Sequence, residues 1–298
     1  MDLKTHAEKG ERKYHLAVSL WLIILAPGLC CGAELQPDTL AAWNHYIEQA
    51  KARMNARLEA GRHFLWVDEN PDRGRRVRNG EILVAPVNGS GRTDVPNGLI
   101  HDWIGSAFFP GTTMEKVFDT MDEYACYKDF YQPAVIDSKL LSREDSESSF
   151  SMRLLKKALF VTAVMDADYK ARYFRRNERS RYGFVWSTRI QDVVNSGQPS
   201  ERQLPPGTGS GFIWRLFCIS RFEERDSGVY VELHVMGLSR CVPALLGWLV
   251  NPLISRLSQS SLITSLSQTR DAVRSMPERA QSGSCGSRTS TLRAGSQH

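Results

Sequence analysis

The stretch GVYVELHVMGLSRCVPALLGWLV, residues 228–250, changes its repeat half-way along. Val229, Val231, Leu233 and Val235 alternate with Tyr230, Glu232, His234 and Met236, the period of a strand with two unlike faces. Beyond Arg240 the alternation stops, Pro243 opens an apolar run, and the pattern becomes helical. A strand that feeds straight into an apolar helix needs partners along its edges and a face on which to lay that helix.

The preceding chain supplies the partners. AVIDSKLL, SFSMRLLKK, VTAVMDADYKARYF, RYGFVWSTRIQDV and GFIWRLFCISRFEE all read as strands. The third is the most regular. Val161, Ala163, Met165, Ala167, Tyr169, Ala171 and Tyr173 share one face, and Thr162, Asp166, Asp168, Lys170 and Arg172 share the other. ERDSG before Val229 predicts a tight antiparallel turn. Further upstream, LIHDWIGSAFF (99–109) is a strand stopped by Pro110-Gly111, and Thr112 with Glu115 forms a capping box that opens a short helix. Downstream, the last helix is expected in two pieces. Asn251-Pro252 either starts the second or marks a kink, with Leu253, Leu257, Leu262, Leu266 and Val273 near one side. The fold class is α+β: a curved antiparallel sheet and a long C-terminal helix.

The order of strand, short helices, antiparallel strands and terminal helix resembles the helix-grip fold of the START-like superfamily (SRPBCC). The segment FFPGTTMEKVFDTMDEYACYKDFYQPAVIDSKLL (108–141) is similar to that superfamily's opening, and the likeness covers about 97–275. GLIHDWIG through LPPGTGSGFIWRL also looks like bacterial secreted START-like and polyketide-cyclase-like proteins. The resemblance implies a wedge between sheet and helix that holds a lipid or another hydrophobic small molecule. It carries over no catalytic residue, and the segment 34–96 lies outside the usual domain.

Composition bounds the remaining possibilities. Of the formal +5 charge, residues 1–33 contribute +1 and 277–298 contribute +2. What is left is too weak to point to nucleic acid. Lys4, Lys9, Arg12 and Lys13 precede the apolar run 16–29, and small residues at 31–33 permit a cut, so residues 1–33 read as a secretory signal peptide. The protein is then expected outside the cell or in the envelope, with an uncleaved anchor as the alternative. In the extension 34–96, residues 37–60 read as a helix, and HFLWV and EILVAPV flank a basic turn as a long hairpin. Cys126, Cys218 and Cys241 show no framework spacing and read as free buried thiols. Residues 276–298 have the composition of a disordered tail.

Aromatic residues mark the candidate cavity. Tyr182, Phe184 and Trp186 fall in one phase, followed by Phe212, Trp214 and Phe222, while His101 and Trp103 share a face. With Met165, Tyr169, Leu233 and Leu257, the residues His101, Trp103, Tyr182, Trp186 and Trp214 are the expected lining, though a filled core would use the same residue types. No zinc spacing, nucleophile elbow or phosphate loop is present, so no metal, cofactor or catalytic residue is assigned. His101 and Asp102 point to opposite faces of one strand and cannot form a dyad, and His234 falls on the face away from the terminal helix. Arg172, Arg175, Arg176, Arg179 and Arg181 surround a hairpin turn, where they either stay solvated or meet anionic headgroups. The reading is non-catalytic binding of a hydrophobic ligand. A cyclase/aromatase-like enzyme using His101 and a membrane or partner module are the alternatives.

Overall fold

The computed structural model describes residues 34–158, 161–241 and 244–276, with side chains omitted for 157, 158, 161 and 244–255. Residues 1–33, read from the sequence as a signal peptide, and residues 277–298 lie outside the described residues. The helices are α1 (Pro37–Ala56), α2 (Pro71–Arg78), α3 (Met114–Met121), α4 (Tyr127–Phe130) and α5 (Ala244–Ser275). The strands are β1 (Leu83–Pro86), β2 (Arg92–Val95), β3 (Gly98–Pro110), β4 (Val135–Glu144) and β5 (Glu147–Ala158). They continue with β6 (Val161–Arg175), β7 (Ser180–Val194), β8 (Arg202–Gln203), β9 (Arg215–Arg225) and β10 (Gly228–Arg240).

All strands pair antiparallel in one sheet, in the order β1-β3-β10-β9-β7-β6-β5-β4, with β2 also on β3 and β8 on β7. The deciding strand β10 sits between β9 and β3, with Leu233 opposite Gly105 and Ser220. Its turn from β9 places Asp226 and Ser227 at φ 57° and 59°, the left-handed pair that a two-residue hairpin needs. The quoted stretch therefore builds the middle of the sheet and then leaves it as α5.

The two faces of this sheet are covered by different elements. On the inner face, Leu262, Leu266 and Val273 of α5 meet Trp103, Ala107, Phe109, Phe222, Val229 and Val231. A Cβ placed on Gly105 would stand 2.9 Å from a methyl of Leu266 and 3.0 Å from one of Leu262. The helix thus rests directly on the β3 backbone. On the outer face, Trp43, Ile47, Ala50 and Met54 of α1 pack on Ile100, Phe217, Ile219, Met236 and Leu238. The 34–96 segment also gives β1 and β2 to the sheet edge, and Thr39 bonds the Pro96 carbonyl at 2.7 Å.

Several local expectations are corrected. Between HFLWV and EILVAPV there is no hairpin but a 3₁₀ turn, Trp66–Glu69, followed by α2. Asn70 caps α2 by accepting from the amides of Asp72 and Arg73, and Pro71 stands at its first position, so Asn-Pro-Asp works here as a helix start. The cap of α3 is Thr113, one residue later than the capping box reading, and it accepts from Lys116 N. Helix α5 is one continuous element through Pro252 and not two helices, because losing one backbone hydrogen bond does not end a 32-residue helix. Cys126 is disulfide-bonded instead of free, and Cys241 is exposed instead of buried. No helix of the described residues is long and apolar enough to cross a membrane.

Candidate functional site

Strand phase fixes which side chains reach the inner face. Phe222, Ser220, Cys218 and Leu216 of β9 align with Val231, Leu233, Val235 and Gly237 of β10, and through Gly183 and Val185 of β7 with Tyr173 and Ala171 of β6. The middle of this face is paved with small residues: Ala167, Ala171, Gly183, Ser187, Cys218 and Ser220. Gly183 is required there, because the Tyr173 ring lies 2.2 Å from where its Cβ would be.

Two lids close the flanks. One is α5 on Gly105, joined by Phe118 of α3, whose ring stands edge-on to Phe222 and Tyr173 at 4.9 and 5.2 Å. The other is the Tyr124–Tyr127 segment, with Tyr124 stacked on Phe150 at 4.4 Å and Phe150 stacked on Tyr169 at 5.3 Å. Between the lids, Leu154, Val185, Leu216, Cys218, Leu233 and Val235 remain only half-buried. These six form one half-buried apolar strip on the inner face of the sheet, the floor of a candidate groove. It lies toward the end of the sheet from which α5 starts.

Six of the nine expected lining residues share this side of the sheet. Met165 and Tyr169 are buried in its floor, and Leu233 is half-buried in the groove. Leu257 of α5 is half-buried too. Trp103 is buried against Gly91 and α5, and its indole N–H has no partner among the described residues. His101 shares a hydrogen bond with Ser239 through Nε2 (2.9 Å), and burial, aided by the charge of Arg92, pulls its pKa down to about 4. A neutral His101 tied to Ser239 is held in place by packing.

Tyr182, Trp186 and Trp214 are corrections: all three pack with the α1 cluster on the opposite face. Gly183 and Val185 point inward, so their even-numbered neighbours on β7 point outward. Trp214 precedes the first residue of β9 and follows the outer cluster, while Phe222 in the same numerical phase points inward. The common phase of these aromatics is broken at the start of the strand.

The outer face holds polar groups that sequence reasoning left unpaired. His234 meets Asp102 at 2.6 Å, and Tyr46 of α1 donates to the other oxygen of Asp102 at 2.6 Å. Beside them, Glu232 accepts from Arg221 Nε at 2.6 Å and from the Trp66 amide at 2.8 Å, with both charged side chains buried. Alternation together with the register of β3, β9 and β10 places Asp102, His234, Arg221 and Glu232 on one face. What hid the pairing was the position of α1, whose Tyr46 closes the chain. Covered in this way, the His234–Asp102 pair anchors the N-terminal segment.

Remaining charges sort by face. Lys156 lies in the inward phase of β5, level with Leu154 and Ala163, and burial lowers its pKa. Among the described residues it makes no ion pair. The hairpin arginines, by contrast, are largely engaged: Arg172 with Glu147, Arg175 with Glu178, Arg181 with Glu115 and over Phe118, Arg176 over Phe64. Asp166 holds Arg153 and Asp168 holds Arg189 on the outward phase of β6, as a solvated strand face does.

Ten antiparallel strands in one sheet, with the terminal helix lying along its concave side on Gly105, decide the architecture. This is the START-like helix-grip fold. No family model and no curated protein matches the sequence. Among solved structures, the chain is similar to a STAR-related lipid transfer protein from Xanthomonas axonopodis, with 16% identity and a TM-score of 0.41 over 62% of this chain and 99% of that one. Human STARD10 aligns at 10% identity and TM-score 0.40, over 73% and 84% of the two chains. The Zhui aromatase/cyclase from a Streptomyces species aligns at 6% and 0.39, over 59% and 94%. The element order, and not these low values, assigns the fold.

Proposed function

We propose that the groove binds a hydrophobic small molecule or lipid and performs no chemistry on it. The observation that carries this reading is the half-buried apolar strip Leu154, Val185, Leu216, Cys218, Leu233 and Val235 on the inner face. Leaving such a strip partly wet forfeits about 25 cal/mol for each Å² of apolar surface, which a bound acyl chain or ring system would recover. Lys156 adds a preference. An amine held in the inward phase, with no counter-ion among the described residues, favours a ligand that brings a carboxylate or another anionic head to it. The hairpin arginines are not needed for the reading.

Among the described residues, no acid and base are brought together on the inner face. His101 is tied to Ser239, and the His234–Asp102 pair faces α1 on the other side of the sheet. That arrangement supports binding over cyclase/aromatase-like catalysis.

The test is native mass spectrometry and organic extraction of the purified protein, followed by displacement of a fluorescent fatty acid. Leu233→Trp, which fills the groove, should weaken probe binding at least tenfold. Trp186→Leu on the outer face should leave it unchanged. Lys156→Met should weaken a fatty acid more than its methyl ester. In a Cys241→Ser background, saturating fatty acid should slow alkylation of Cys218, whose thiol burial pushes up to about 12. Equal effects of the Leu233 and Trp186 substitutions, or no protection of Cys218, would refute the groove as the site.

A further inference from the structure

A second recess lies at the opposite end of α5, away from the apolar groove. It has a volume of about 140 Å³ and is lined by Phe109, Pro110, Gly111, Thr112, Lys116, Arg270, Val273 and Arg274. That is below the ~300–1,000 Å³ of sites that enclose drug-sized apolar ligands. It draws on three elements: the β3 end, the first turns of α3 and the last turns of α5. Three cationic side chains line it and no carboxylate does. Among the described residues, none of Lys116, Arg270 and Arg274 forms an ion pair. Two of the nearby acids are committed elsewhere: Glu224 accepts the Met114 amide at 2.7 Å, and Glu115 pairs with Arg181.

Two polar atoms of the lining are buried without a partner, the Thr112 hydroxyl and Arg270 Nε. Arg270 satisfies only part of its guanidinium, donating from one terminal nitrogen to the Gly80 carbonyl at 3.2 Å. Arginines near the end of a helix do complement its dipole. That accounts for the position of Arg270 and Arg274, but not for Lys116, which comes from α3, nor for the two orphaned atoms. Burying polar groups unsatisfied costs about 1–3 kcal/mol each, so the recess is shaped to receive an acceptor.

We propose that this recess is an anion site for a phosphate group. A tetrahedral oxyanion offers several acceptor oxygens to Arg270 Nε, the Arg274 guanidinium, the Lys116 ammonium and the Thr112 hydroxyl, with charge opposite to theirs. The phosphate comes either from solution or from a lipid headgroup. The site does not depend on the apolar groove.

Inorganic phosphate should be titrated into the full chain at constant ionic strength and followed by calorimetry and by the melting temperature. A parallel arm measures sedimentation with phosphatidylcholine vesicles containing or lacking phosphatidic acid. Binding of inorganic phosphate identifies a free-phosphate site, and binding only to phosphatidic acid vesicles identifies a headgroup site. In either arm, Arg274→Ala and Lys116→Ala should each weaken binding about tenfold, and Thr112→Val by less. Arg172→Ala, at the Glu147-paired strand face, should leave it unchanged. Arg274 is exposed, so its loss is not expected to unfold the chain, and an unaltered melting temperature without phosphate checks this. No binding in both arms, or binding that Arg172→Ala reduces as much as Arg274→Ala, would overturn the proposal.

Discussion

Replacing Glu232 by alanine should be among the most destabilising single changes on the outer face. The carboxylate is buried with Arg221, whose Nε donates to it at 2.6 Å, and it also accepts the Trp66 amide at 2.8 Å. Its removal leaves a buried guanidinium without a counter-ion and a buried amide without an acceptor. Breaking a buried ion pair from one side costs about 3–5 kcal/mol. Against a stability of about 5–15 kcal/mol, that is a large share. For a domain of this size, about 4 kcal/mol lowers the melting temperature by roughly 10 °C. Urea unfolding followed by circular dichroism measures the loss directly. Glu232→Gln, which keeps an acceptor for Trp66 but removes the charge, should fall between Glu232→Ala and the wild type. The double variant Arg221→Met with Glu232→Leu should recover most of the loss, because neither charge is then stranded. A loss below about 1 kcal/mol for Glu232→Ala, or a double variant no better than the single, would refute the claim that this pair is sealed beneath the N-terminal segment.

Acid should destabilise the protein through His101. Its folded pKa of about 4 lies below the ordinary 6.5, so between these values the unfolded chain binds more protons. The contribution is complete above about pH 6.5 and lost as pH falls toward 4, by about 1–2 kcal/mol once its partial exposure is discounted. His101→Gln should flatten that part of the stability–pH curve, and an unchanged difference between the two proteins at pH 7 and pH 5 would contradict it. Gly105→Ala should cost about 1–2 kcal/mol by pushing its new methyl against Leu262 and Leu266, whose side chains yield only in part. A rise in melting temperature on that substitution would show that α5 does not rest on β3.

Much of the architecture was legible because it depends on period two. The alternation in 161–173 and 229–236 named the inner faces of β6 and β10 correctly, and those faces fixed where α5 could lie. Tyr182, Trp186 and Trp214 were misread because the phase of one strand does not say which face meets the helix. That follows from inter-strand register, here from Gly183 opposite Tyr173 and Ser220. The 34–96 segment was half legible. Its first helix is plain in composition, whereas Asn70-Pro71-Asp72 can either turn a hairpin or cap a helix, and the neighbours decide. The Tyr46–Asp102–His234 chain spans contacts 56 and 132 residues apart, beyond the reach of any local pattern.

With its convex side strapped by the N-terminal segment through Thr39, Tyr46 and Trp66, the sheet is braced against flattening. Leu262 and Leu266 seated on Gly105 pin the terminal helix to the opposite side, so the bent layer is held from both faces.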